Sequence, residues 1–526
     1  MAAPIVFLPE VVLIAAALAS TILGFLVGRR TQILWGWALG ALIVAMVLTL
    51  DMMGLGLTRL LGLNLYEVPV VGVGGSGDFA DSWKLRIDSF TLFFHMVFMF
   101  VALLAVIASR SFIKPEEPHQ GEYYGLMFLA VVGMMLTAAA TDLFVLYLAF
   151  ELSSISTFAL VAFRKKDRQS TEASLKFFII GAVSSAIILF GISIVYGVAG
   201  STSIAAVGHL TDLDALKVGL ASIGPRMEPP LIVGIVFLLA GFGFKVAVVP
   251  FHMWAPDVYQ GAPTTISLFL AAGSKKVGIV ALFKVFLVAL LSIQVDWIAA
   301  IAVLAIATQV VGNLFAIPQR NIKRMLAYSS IAQVGYILIA IPVGAMALQG
   351  SDAAKTVAAA GLLGGMYHVL THAIMKGGAF LVVGATSSAG IGEDIADYKG
   401  LGKRMPFVAW SMLFFLLSLA GIPPLGGFFS KFILFSSGIS AMQFNPWFLA
   451  LAVSGVLNSA LSLYYYARVI WYMFVLEAPA GAAAVKTGKS MTAAIAIALV
   501  LIWITGIAAF PFISYLEGAA RTFFGF

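Results

Sequence analysis

Residues 241–264 read GFGFKVAVVPFHMWAPDVYQGAPT. The first half has the apolar run of a membrane-spanning helix, yet it holds Lys245, Pro250 and His252. An ammonium group in hydrocarbon is costly. A proline inside a helix removes a backbone hydrogen bond and clashes with the preceding turn. The stretch therefore predicts a broken span whose lysine is retained for a purpose.

Its surroundings support a membrane setting. The chain has 526 residues, of which 61% are hydrophobic and 10% charged, with a mean hydropathy of +1.04. Soluble domains are nearer half apolar and a quarter charged. The absence of cysteine excludes disulfides, iron–sulfur clusters and thiolate metal sites. The net charge of +7 fits basic residues in cytoplasmic loops better than a nucleic-acid partner. The glycine-rich VVGVGGSGDFAD at 70–81 lacks the Lys-Ser/Thr of a phosphate cradle and reads as a loop. The opening MAAPIVFLPEVVLIAAALAS lacks a basic leader and reads as a first span rather than a cleaved signal.

Working outward, apolar runs and breakers predict an all-α polytopic fold of fourteen spans. They lie near 5–27, 33–55, 88–109, 123–141, 143–163, 173–198, 231–257, 263–289, 296–317, 325–347, 355–386, 407–437, 446–474 and 491–515. The longest loops are 56–87 and 199–230. With both termini outside, the inner loops collect sixteen basic residues, among them Arg164, Lys165, Lys166 and Lys486, and the outer loops and tail six. That asymmetry supports the orientation.

The basic residues left inside the spans matter most, because an ionisable group at membrane depth is a functional hypothesis by default. Glu151 lies in LFVLYLAFELSSISTFALVAF, and Lys176 in STEASLKFFIIG. Lys275 and Lys276 lie in LFLAAGSKKVGIVALFK, Lys376 ends YHVLTHAIMK, and Lys431 lies in GIPPLGGFFSKF. Burial disfavours a charged lysine and a nearby carboxylate favours it. A lysine balanced between the two can be toggled by moving its partner, which is the physical case for proton transport. Lys276 and Lys284 individually also suit ordinary structural roles on one helix face.

A second break, GIPPLGG at 421–427, lies about five spans beyond Pro250. Paired interrupted helices predict repeats around midplane ion sites, inverted where the number of spans per unit is odd. His368, His372 and Lys376 recur every four residues and share a helix face. The two histidines have zinc-binding spacing, but no carboxylate is near and the lysine repels a cation, so hydrogen bonding along a polar path is expected and no metal. His252 either joins that path or caps carbonyls freed by the break. His95 reads as a satisfied core residue.

These residues also carry a resemblance. KVAVVPFHMWAPDVYQGAPT, FELSSISTFALVAF, EASLKFFIIGAVSSAIILFG, NIKRMLAYSSIAQVGYILI and GIPPLGGFFSKF resemble, in order, the antiporter-like membrane subunits of respiratory complex I, in particular subunit N (subunit 2) of the NADH–quinone oxidoreductase family. The likeness runs from about 86 to 470. It implies two inverted five-helix repeats with broken seventh and twelfth helices. The expected division is 1–122 (spans one to three and outer loop), 123–289 (first repeat), 296–474 (second repeat) and 475–526 (last span).

The resemblance implies roles as well. Glu151 pairs with Lys245, Lys176 bears on that pair from the sixth helix, Lys275 connects the halves with Lys276 as an extra neighbour, and Lys431 is the terminal lysine. THAIMKGGAF, with Lys376, is more like the sister subunits L and M and the Mrp proteins. That departure points to a relative such as the F420H2 dehydrogenase that uses methanophenazine or a quinone. The expectation is a proton-translocating subunit in the cell membrane with no cofactor of its own. Its partners are neighbouring antiporter-like and small membrane subunits, lipid and protons. The alternatives are an Mrp-type Na+/H+ antiporter subunit, which the DVYQGAP and YSSIAQVGY pattern disfavours, and an inert scaffold, which the intramembrane lysines disfavour.

Overall fold

The computed structural model describes residues 6–27, 31–58, 84–113, 117–210 and 228–526. The glycine-rich 70–81 lies outside them. The α-helices of eight or more residues begin with α1 (Leu8–Val27), α2 (Thr31–Leu50), α3 (Ser89–Phe112), α4 (Gln120–Ala139), α5 (Leu143–Val161) and α6 (Arg168–Ala199). Next come α7 (Glu228–Val246), α8 (Trp254–Gly261), α9 (Thr264–Ala289), α10 (Gln294–Ala316), α11 (Ile322–Ile337) and α12 (Asp352–Ser388). They are followed by α13 (Pro406–Ala420), α14 (Gly426–Ala441), α15 (Phe448–Phe474), α16 (Lys489–Ile507) and α17 (Ala509–Phe524). Among the described residues, strand-like pairing is confined to three isolated bridges.

Twelve helices among the described residues are long and apolar enough to cross a membrane, and two shorter apolar ones end at Val246 and Ala420. These two are the leading halves of the expected broken spans, α7 with α8 and α13 with α14, which makes fourteen. Spans four to eight (α4 to α9) and nine to thirteen (α10 to α15) each place the broken span fourth of five.

The two spans at 231–257 and 407–437 are broken as expected, and the chain leaves the helix at Ala247 and Gly421. Ala247 (φ 59°) and Gly421 (φ 89°) both take the left-handed conformation. Glycine accepts it freely, and alanine at a cost of about 1–2 kcal/mol. The peptide bonds before Pro250 and Pro424 are cis. Freed backbone groups find protein partners, as a dry environment requires. Trp254 Nε1 donates to the Phe244 carbonyl (2.8 Å), and Val249 N to Thr308 Oγ1 (3.1 Å). In the other break Gly427 N donates to Ser418 Oγ (3.1 Å) and Ser459 Oγ to the Ala420 carbonyl (2.9 Å).

α9 is buried along its whole length, with α11 and α12 nearly so, while α1, α2, α6, α10, α15 and α16 bury one side only. Leu175, Phe178, Ile179, Val183 and Phe190 leave an apolar stripe on α6, suited to lipid or another apolar helix. Close approach inside the bundle relies on small residues. A Cβ at Gly133 of α4 would lie 2.5 Å from Ser153 N and 2.7 Å from Ala149 O of α5. In the second run a Cβ at Gly312 of α10 would lie 2.5 Å from Ala332 N of α11.

The C-terminus departs from expectation. The span placed at 491–515 ends at Ile507, and α17 follows as a separate helix. Pro511 is the cause, since it has no N–H for the Ile507 carbonyl, and proline suits the first turn of a new helix. α17 lies against the start of α3, where Tyr515 Oη donates to the Ser89 carbonyl (3.0 Å) and the Phe90 and Phe523 ring centroids are 4.6 Å apart.

Candidate functional site

The buried helices α9 and α12 carry six buried lysine and histidine side chains among the described residues: Lys275, Lys276, Lys284, His368, His372 and Lys376. Lys245, Lys275, Lys276, Lys376, Lys431, His252, His368 and His372 are all buried, Glu151 is half-buried, and Lys176 is exposed.

At one end, Lys245 sits on the last turn of α7. Its ammonium donates to Ser154 Oγ of α5 (3.0 Å) and is ringed by Phe150, Phe158 and Phe177, with ring centres at 5.5, 5.8 and 5.7 Å. Glu151, one turn before Ser154 on α5, acts on Lys245 electrostatically and has Ser185 beside it. Among the described residues no contact within 4 Å joins the two charges, so the serine stands where the expected direct pair would be. Gly278 of α9 meets the Lys245 stem, with its ideal Cβ 3.3 Å from Lys245 Cβ. Lys245 therefore lies against the helix of Lys275 and Lys276.

A π turn at Leu270–Ser274 precedes those two lysines. Such turns loosen the carbonyl ladder, and Lys276 Nζ fills the gap by donating to the Ala271 carbonyl (2.9 Å). Lys276 also meets His372 Nδ1 at 2.5 Å. Lys275, a helical step away, points elsewhere: its ammonium has no hydrogen-bond partner among the described residues and lies 5.3 Å from the Tyr259 ring centre.

From His372 the polar groups continue along α12. The His372 and His368 ring centres are 6.3 Å apart. His368 bonds Ser430 Oγ through Nδ1 (3.0 Å) and Gln333 Oε1 through Nε2 (2.9 Å). Gln333 Nε2 donates to the Leu419 carbonyl (3.1 Å), which the α13 break frees, and Lys431 Nζ donates to the same carbonyl (2.7 Å). Lys431 also bonds Ser459 Oγ (2.8 Å) and lies 4.9 Å from the Tyr336 ring centre. One turn beyond His372, Lys376 donates to Ser329 Oγ (2.6 Å) and the Leu326 carbonyl (3.2 Å), and Ser329 bonds Tyr466 Oη.

His372 has one donor position open. An ammonium donates to its Nδ1, so the neutral ring carries its hydrogen on Nε2, which has no partner among the described residues. His252 is buried in the first break with Nδ1 likewise unpartnered. Among the described residues no three His, Asp or Glu side chains gather closely enough to hold a metal ion.

Lys176 is not brought to this row. It bonds Glu172 and Asp257 at 2.9 Å each with its side chain 44% exposed, and Asp257 also pairs with Arg324 at 2.5 Å. These groups line a cleft of about 190 Å³. The apolar sequence around Lys176 gives a helix but not which way the lysine faces. Gln333, Ser329, Ser154 and Ser430 were missed because neutral polar residues are common in spans; the glutamine in IAQVGY was the visible signal.

Residues 140–462 match the family described as NADH:quinone oxidoreductase/Mrp antiporter, transmembrane. A relative in Methanosarcina mazei, F420H2 dehydrogenase subunit N, is 40% identical and covers 97% of each chain. The NADH-quinone oxidoreductase subunit N of Moorella thermoacetica is 41% identical over 83% of this chain and 86% of its own. A chain of respiratory complex I from Thermus thermophilus superposes with a TM-score of 0.73 at 27% identity, covering 97% of this chain and 99% of that one.

Proposed function

The chain belongs to the NADH:quinone oxidoreductase/Mrp antiporter membrane family, and we propose that it is the N-type proton-translocating subunit of a complex I-like oxidoreductase. The observation that carries the reading is the buried row from Lys276 through His372, His368 and Gln333 to Lys431, with Lys245 and Lys275 against its near end. A structural bundle has no use for so many deep ammonium groups with neutral partners.

The row works by mutual repulsion. Two unit charges about 8 Å apart interact by about 2 kcal/mol at an effective dielectric of 20. Adjacent ammonium groups therefore cannot all stay charged, and a proton arriving at one displaces another. The cycle begins with Lys245 charged and supported by Glu151. When a neighbouring subunit draws Glu151 away, Lys245 loses its compensation and its proton moves by water towards Lys275. Lys276, His372, His368 and Lys376 carry the charge change onward, and Lys431 releases a proton on the outer side. His252 keeps water at the first break. Lys176, with Asp257 and Arg324, sets the field at the entrance cleft.

Oxidation and reduction belong to partner subunits, and this chain carries no cofactor. The segments 123–289 and 296–474 act as two inverted halves, with both termini outside. In the assembled complex, Lys245→Ala is expected to leave subunit association intact and to lower protons moved per electron, measured in inverted vesicles during substrate oxidation. Wild-type pumping by that complex would sink the proposal. Na+/H+ exchange without any co-purifying flavin or iron–sulfur subunit would replace it with the antiporter reading.

A further inference from the structure

One buried titratable pair lies outside the row. Glu10, in the first turn of α1, and His95, in the second turn of α3, are 2% and 1% exposed. His95 Nε2 lies 3.0 Å from the Met135 carbonyl of α4, and its Nδ1 lies 3.5 Å from Glu10 Oε1. Neither Glu10 oxygen has a hydrogen-bond partner among the described residues.

The chemistry of this pair is constrained. A carbonyl only accepts, so Nε2 carries a hydrogen. In the neutral ring Nδ1 is then a lone pair facing a carboxyl oxygen. Two acceptors do not face each other without a proton between them. A bare carboxylate with unpartnered oxygens in an apolar interior is the costliest arrangement, and an ion pair at this depth desolvates two charges. The neutral carboxyl, with its O–H directed at Nδ1, avoids both.

The pair has charged neighbours at the same end of the bundle. Lys284, immediately before the π turn that closes α9, donates to the Ala140 carbonyl (2.7 Å) just after α4 and acts electrostatically on His95. Asp88 and Arg86 lie near Lys284 and are 3.7 Å from each other. Lys284 follows Lys275 on the same helix by about two and a half turns. A buried lysine on the helix that carries Lys275 and Lys276 thus acts electrostatically on the Glu10–His95 pair.

We propose that Glu10 and His95 hold one exchangeable proton and, through Lys284, form an outlet for the first half at the end of the bundle carrying the N-terminus. The outlet role rests on the proton-translocating reading; the proton-holding does not. Each transfer is a proton hop: His95 takes a proton on Nδ1 while Nε2 keeps its hydrogen, and Glu10 alternates between carboxyl and carboxylate.

The test uses the assembled complex. Redox-driven infrared difference spectra should contain a carboxyl C=O stretch that shifts in D2O and is lost in Glu10→Gln. That variant keeps the shape and can still donate to Nδ1, so a merely structural contact would survive it; here the proton-to-electron ratio is expected to fall while electron transfer continues. Should Glu10→Gln fail to assemble, Glu10→Leu combined with His95→Leu removes both polar partners at little cost in stability and should lose the same band and ratio. An unchanged band overturns the proton-holding site. A wild-type ratio in these variants, alongside a lowered one in Lys245→Ala, overturns the outlet alone. A wild-type ratio in Lys245→Ala as well strikes the proposed function, and the infrared band still decides the pair.

Discussion

At the scale of single residues, Gln333 has the most demanding position. Its amide serves His368 on one side and the freed Leu419 carbonyl on the other. Gln333→Leu would strand a buried ring N–H and weaken the partnering of that carbonyl. Each buried group left without a partner costs about 1–3 kcal/mol. The assembled variant should melt at a lower temperature and pump more slowly, measured by thermal unfolding in detergent and proton uptake in vesicles. An unchanged melting temperature would show that water replaces the amide without loss. This residue also shows the limits of sequence. The charged members of the row stand out because a lysine in an apolar run is rare. The amide and the serines between them do not, because their cost depends on partners only the fold reveals. Lys176 is the converse: conspicuous in sequence, it turns out to face an exposed cleft.

At the scale of elements, both breaks were legible from proline and glycine, and the fourth-of-five placement followed from counting spans. The π turns that flank Lys275 to Lys284 were not, because LAAGS and VFLVA have ordinary helical composition. The bend at Ala508 was legible in principle from Pro511, but the apolar run through it masked the signal. Helix approach gives a sharper expectation. Gly133 leaves no room for a side chain between α4 and α5, since the obstructing atoms are backbone. Gly133→Val should drive these helices apart and prevent accumulation of the assembled complex, read by immunoblot of membranes. The same change at Gly197, where a Cβ meets nothing within 4 Å, should be tolerated.

For the whole molecule, the chain's lack of cysteine gives a direct handle on orientation. Single cysteines at Lys166 and Lys486 should react with an impermeant maleimide from the cytoplasmic side, and those at Lys84 and Arg521 from the opposite side. Reaction of all four from one side would refute the proposed topology. The membrane class, the span count and the family were legible because composition, breakers and several long motifs agree. The connectivity of the row was not, because it joins α9, α11, α12, α13 and α14, whose residues are separated by up to 155 positions between Lys276 and Lys431.

The three phenylalanines around Lys245 have a consequence of a different kind. A pathway able to carry protons in one direction under load is also a path for their return, and a membrane holding a gradient loses it through any wire left permanently wet. Phe150, Phe158 and Phe177 surround the ammonium with surfaces that neither donate nor accept a proton. They steady its charge through the faces of the rings while offering water nothing to bind. On the proposed cycle the cage would serve as insulation, keeping the switch from short-circuiting between strokes, and the movement of Glu151 would decide when the circuit closes.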